Sequence, residues 1–259
     1  MAQKINNALF LILLLFFVTT FFTRHNCRSV SQTAPEVLRE PVQQETGGNQ
    51  PIRFTKNDYE YELTPLYDYE INGLIVSKRS YKFLTLESDR YEKVFPVDLA
   101  LIWGSNVASK VYQNRNVKFS QDCRWAYVNW YGNIDFNLNE MSNNHLLVDG
   151  PDLEKKIKTL VVGDQVKLRG KLVNVKAHLV GEVKGSEPES IFWNTSTTRE
   201  DSRGGACEVV YVEDLKILRK ANVISYALFQ ISLYGLALMT VWNLLWFFFG
   251  SNRSQLRGD

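Results

Sequence analysis

The chain reads as a mainly β domain, a small barrel or sandwich, flanked by an N-terminal and a C-terminal transmembrane helix. Three observations carry that reading. Residues 165–172 alternate polar and apolar, with Val166, Leu168 and Leu172 on one side and Lys167, Arg169 and Lys171 on the other. Successive side chains on a strand face opposite ways, so this is a half-buried strand with a basic outer face. Similar short runs recur through residues 51–218 with turn signals between them, without the repeated amphipathic helices a βαβ unit needs. Two long uncharged apolar stretches bracket this region.

Residues 5–23 include Ala8 to Val18, an apolar run of marginal length for a span. It suits an uncleaved anchor better than a cleaved signal, because Phe21, Phe22, Thr23 and Arg24 stand where small residues would mark cleavage. Residues 24–50, rich in Gln, Thr, Glu and Pro and without apolar period, read as a flexible tether. In the domain, residues 66–77 alternate Tyr67, Tyr69, Ile71 and Ile75 against Asp68, Glu70 and Asn72, a strand kinked near Gly73. Residues 81–86 are its expected partner, 98–104 a short buried strand, and Gly104-Ser105-Asn106 a turn. An aromatic strand is expected over 117–131 and a short helix over 152–160, capped by Asp152, with Leu153, Ile157 and Leu160 on one face. Residues 207–218 close the domain, whose core is expected to include Ile71, Ile75, Leu101, Val166, Leu168, Leu172, Val209 and Tyr211. The span at 222–249 carries Trp242, Trp246 and Phe247 to Phe249 at its end, the composition of an interfacial aromatic belt.

Gly163-Asp164 before the organising strand signals a turn, and Gly170 within it signals a bulge or sharp bend. The pattern G-D-x-V-x-L-x-G-x-L resembles strands of oligomer-binding (OB-like) barrels. The segments YDYEINGLIVS, DLALIWGSNV, SNNHLLVD, GDQVKLRG and GGACEVVYVED together resemble a family of small membrane-anchored bacterial envelope proteins. That resemblance covers about residues 65–215. It implies a bacterial envelope protein and brings no catalytic residues with it.

Charge excludes little. Residues 51–220 hold 24 Lys and Arg against 24 Asp and Glu, where a nucleic-acid binder usually shows a basic domain. The distribution is uneven: residues 154–184 hold eight basic and three acidic side chains, and residues 58–70 five acidic and no basic ones. No His-Glu-x-x-His, Cys-x-x-Cys, nucleophile elbow or phosphate loop is present, so no metal and no cofactor is expected.

Two groups are candidate ligand-binding residues. Asn143, Asn144 and His145 could fix a small molecule through two amides and an imidazole, with His145 moving a proton. The alternative is a turn before Leu146. Lys167, Arg169 and Lys171 could meet an anionic ligand or nucleic acid, against a plain solvated strand face.

The expected function is therefore a non-catalytic binding or assembly module of a bacterial envelope complex, with other envelope proteins, the membrane and a second copy as candidate partners. The rival readings are an enzyme acting on a membrane or cell-wall substrate, with His145 and Asp149 as acid and base, and a cytoplasmic-facing binder of an anionic ligand or nucleic acid through the basic strand 167–171, although the balanced charge leads us to expect no nucleic-acid partner. The orientation expected is both termini in the cytoplasm and the domain in the periplasm, an oxidising compartment where Cys123 and Cys207 would bridge. Such a disulfide closes a loop of about 84 residues, on the order of 4 kcal/mol by loop entropy. Two unrelated buried thiols are the alternative.

Overall fold

A computed structural model describes residues 2–24, 26–47, 50–81, 94–122, 125–180, 188–198 and 207–246. The chain divides into two compact units, residues 1–26 with 222–259, and residues 27–221. The first is a pair of helices, α1 (Ala2–Thr23) and α4 (Val223–Leu245). Both are long and apolar enough to cross a membrane. Asn6 meets Asn243, Phe17 stacks on Phe229, and Gly235 lies against Leu13, so the two run antiparallel. A Cβ on Gly235 would come within 2.9 Å of Leu13 Cδ1, the close approach that small residues give membrane helices. The Arg24 guanidinium stands 3.5 Å over the Phe229 ring.

The second unit is mostly β. Its strands are β1 (Val42–Glu45), β2 (Ile52–Lys56), β3 (Tyr59–Ser80), β4 (Val97–Ile102), β5 (Val117–Gln121), β6 (Ala126–Trp130), β7 (Met141–Leu147), β8 (Gln165–Leu179), β9 (Ser190–Trp193) and β10 (Cys207–Arg219). Two helices join them, α2 (Gly104–Ala108) and α3 (Pro151–Lys158). Eight strands form one large mixed sheet, and β5 and β6 form a separate hairpin.

β3 organises the sheet. Along one edge it pairs with β8 from Tyr59 to Leu74; along the other it meets β2, then β1, then β4. β4 continues to β7, β7 runs parallel to β10, and β10 is antiparallel to β8. In place of the expected small closed barrel or sandwich, the strands make a large sheet with outer strands β1, β2 and β9. The reason is strand length: β3 and β8, at 22 and 15 residues, run on past their neighbours, and the outer strands pair with the overhang.

Seven of the residues whose alternation predicts a core position are buried: Ile71, Ile75, Leu101, Val166, Leu168, Leu172 and Val209. Tyr211, expected with them, is half-buried and donates its hydroxyl to Asp149. Gly170 explains the tight join between β8 and β10. A Cβ there would lie 2.0 Å from the Tyr211 carbonyl oxygen, and the β10 register shifts between Val212 and Asp214. Gly163, at a φ of +95°, makes the turn into β8. Asp164 beside it is fully buried and accepts from the Val161 and Ala221 amides and from Lys220.

Several local expectations change. The stretch over 117–131 is a hairpin, not one strand, and Gly104-Ser105-Asn106 opens the one-turn helix α2. α3 starts at Pro151, so Asp152 sits in its first turn instead of capping it, with Lys155, Lys156 and Lys158 in its last. Residues 82–86, the expected partner of the 66–77 strand, lie outside the described residues. The segment read as a tether is packed onto the domain over residues 27–45. Val37 is wholly buried, and Gln165 of β8 accepts from the Ala34 amide and donates to the Gln32 carbonyl. Tyr112 and Gln113 both donate to the Val30 carbonyl. Chain entropy is offset here by hydrogen bonds to Gln165, Tyr112 and Gln113, by the β1–β3 ladder and by a few isolated apolar contacts, which leave no period to read.

Candidate active site

Three neighbouring strands, β4, β7 and β10, bring together the polar side chains that matter. The antiparallel register sets Asp98 of β4 opposite His145 of β7, and the parallel register sets Asn143 of β7 opposite Cys207 of β10. Because alternate residues share a face, Asn143 and His145 point the same way, and Cys207 lies diagonally across from His145. Val97, Leu99, Leu101 and Leu146 on the opposite face fill a core cluster, which fixes the direction of the polar set.

His145 Nδ1 lies 2.9 Å from Oδ1 of the fully buried Asp98. The other carboxylate oxygen accepts from the Tyr81 hydroxyl at 2.5 Å. The half-buried Cys207, opposite Asn143 on β10, lies close enough to His145 to act on its charge. Burial by itself would lower the imidazole pKa. Hydrogen bonds and charge from Asp98, then Cys207, outweigh that and push it up to about 10. The ring is flanked by Phe95, which in turn meets the Trp193 edge. Asn143 donates its side-chain amide to Cys207 Sγ at 3.6 Å, and Gln121 of β5 donates to Asn143 Oδ1 at 2.7 Å.

The run Ser142 to His145 is thus a strand and not a turn, and it splits by parity. Asn143 and His145 join the site. Asn144 faces the other way, donating to Ser142 Oγ and the Leu99 carbonyl. Asp149 is not the acidic partner of His145; it accepts from Tyr211, and Asp98 holds the imidazole. No disulfide is formed among the described residues, and Cys123, the expected partner of Cys207, lies outside them. The strand position of Cys207, opposite Asn143 and next to an imidazole, gives its sulfur polar partners. Cys27 is a separate buried thiol whose pKa burial pushes up to about 11.

The basic strand face does not stand free. Lys167 pairs with Glu70 at 2.6 Å, and Lys171 with Asp68 at 2.6 Å. Arg169 is exposed, opposite Glu70 on β3 and Asp214 on β10. Among the described residues no group of three or more His, Cys, Asp and Glu side chains is arranged to hold a metal ion.

Sequence reasoning missed Asp98 and the pairing of Cys207 with His145. One signal was present: Asp98 is the lone charge in the apolar run Val97 to Ile102, and a carboxylate so placed needs a partner. Comparison with protein-family models, with curated proteins and with solved structures finds no match.

Proposed function

We propose that the chain is a membrane-anchored enzyme of nucleophilic, thiol-based chemistry: Cys207 attacks as the thiolate, His145 holds the proton as an imidazolium, and Asp98 holds that imidazolium. The supporting observation is the line Asp98–His145–Cys207, a nucleophile beside a base that is itself oriented by a buried third group. Tyr81 leaves Asp98 one fewer open lone pair, so the carboxylate keeps its aim. The test uses the full chain in detergent with Cys27→Ala and Cys123→Ser, so that Cys207 is the remaining thiol. Iodoacetamide at pH 6 should label Cys207 at least about tenfold faster than in the same chain with His145→Ala, because the thiolate is the reactive form. Equal rates in the two chains would sink the reading.

A second reading keeps the domain as a non-catalytic binding or assembly module of a bacterial envelope complex. The β5–β6 hairpin favours it, presenting Tyr127 and Tyr131 at 42% and 70% exposure, and aromatic side chains are enriched at interfaces. Crosslinking in cells followed by identification of bound proteins tests this: loss of partners on Tyr131→Ala, with Cys207→Ala silent, would favour it over the enzyme.

Two finer assignments belong with the proposal. The pairing order β3-β4-β7-β10-β8 and back to β3 supports an OB-like, partly open five-stranded barrel within the larger sheet. An experimental structure in which β3 does not pair with both β4 and β8 would remove it. The periplasmic side is assigned from the export-like first apolar run, and protease added to intact spheroplasts should cut the domain.

A further inference from the structure

We infer that the electrophile Cys207 attacks is an acyl carbonyl, that the Asn143 side-chain amide donates to its oxygen, and that Gln121 is a positioning residue for that amide. The inference rests on Cys207 acting as the nucleophile and adds the substrate class. An Asn side chain has an acceptor end and a donor end, and its neighbours decide which way each points. Here Gln121 donates to the oxygen end, so the NH₂ end faces Cys207 Sγ at 3.6 Å. Asn143 is buried, and its backbone is held in ladders by β4 on one side and β10 on the other. The donor is therefore fixed before any substrate arrives, beside the atom that forms the new bond. Preorganised donors of this kind stabilise charge that develops on a carbonyl oxygen. A disulfide or alkyl electrophile develops no oxyanion, and an aimed amide would do nothing for it.

The chemistry balances without any further reagent beyond water or a second acyl acceptor. Cys207 starts as the thiolate, its proton held on the His145 ring nitrogen that does not face Asp98. Sγ bonds to the carbonyl carbon while the C=O π pair moves onto oxygen, where Asn143 donates. The pair then returns, the bond to the leaving group breaks, and the leaving group takes the proton from His145. The thioester at Cys207 is released by water or another nucleophile, whose proton passes through His145.

The test compares two probes on the full chain in detergent with Cys27→Ala and Cys123→Ser. One is p-nitrophenyl acetate, the other an aromatic disulfide. Asn143→Ala should lower Cys207-dependent nitrophenol release by about 10²-fold, the usual cost of one lost oxyanion donor, and change the disulfide rate by less than about threefold. Gln121→Ala should lower ester turnover by about tenfold, again sparing the disulfide. Equal losses with both probes, or no loss with the ester, overturn the inference. Fast, His145-dependent reaction with the disulfide but no ester turnover overturns it too, while leaving the nucleophile reading standing. Reaction indifferent to His145 with either probe removes that underlying reading. Should Asn143→Ala fail to fold, Gln121→Leu on the half-buried β5 position decides by the same ratio of the two rates.

Discussion

Two regions of the domain are built from the same kinds of charged pair and differ in where those pairs sit. Along the β3–β8 seam, Lys167–Glu70 and Lys171–Asp68 pair across the strands within reach of solvent. On the β4–β7–β10 face, Asp98 and His145 pair at a similar distance, but the carboxylate is wholly buried. The seam resolves a feature of the sequence: Glu62, Asp68 and Glu70 of the acidic stretch lie opposite Lys176, Lys171 and Arg169 of the basic one in a single ladder. Its ion pairs follow from strand pairing and are screened by water. The buried pair has no water to lean on, so each member depends on the other, and a thiol is placed next to them. Charge at the seam assists register; charge on the other face would, in the function proposed above, serve proton transfer.

The sharpest way to break that contrast is to remove the buried carboxylate. Asp98→Ala should cost about 3–5 kcal/mol of stability, since it strands His145 and the Tyr81 hydroxyl. Denaturant unfolding of the full chain in detergent measures it, and a cost below about 1 kcal/mol would place the pair in the same class as the seam.

Next in size is a change on the other side of β8, at its join with β10, that touches no charge. Gly170→Ala drives a methyl group into the Tyr211 carbonyl and should cost about 3 kcal/mol, the upper range for overpacking. Denaturant unfolding measures it, and a cost below about 1 kcal/mol would show that β10 yields to admit the methyl group.

The pH dependence reports on the buried pair. His145 has an ordinary value of 6.5 and is held near 10 in the folded protein, by Asp98 and Cys207 against the effect of burial. The folded state therefore binds the proton more tightly. Its contribution to stability is complete below about pH 6.5 and is lost as pH rises toward about 10. The unfolding midpoint should fall across that window, and less so in His145→Gln. An unchanged slope in that variant would put the titration elsewhere.

The smallest effect belongs to the seam lysine. Lys167→Ala should change stability by about 0–1 kcal/mol, and added salt should shrink even that. A salt-independent loss of several kcal/mol would show that this pair too is shut off from water.

Much of this molecule follows from local pattern. Period-two alternation located β8, the 66–77 part of β3, and β10, because a strand with one buried face must write that face into every second residue. The two apolar helices were legible from length and freedom from charge alone. Gly170 announced its bulge, because only glycine leaves room for a carbonyl at that approach. What tertiary structure alone decided is which strands lie side by side. Asp98, Asn143, His145 and Cys207 come from three segments, and no spacing within one segment could show that β7 runs parallel to β10 and antiparallel to β4. The same holds for residues 27–45, whose contacts are supplied by distant residues such as Gln165 and Tyr112. Local sequence sets which way a side chain points along its own strand. Which side chains meet is set by long-range pairing, whose register depends on the whole core.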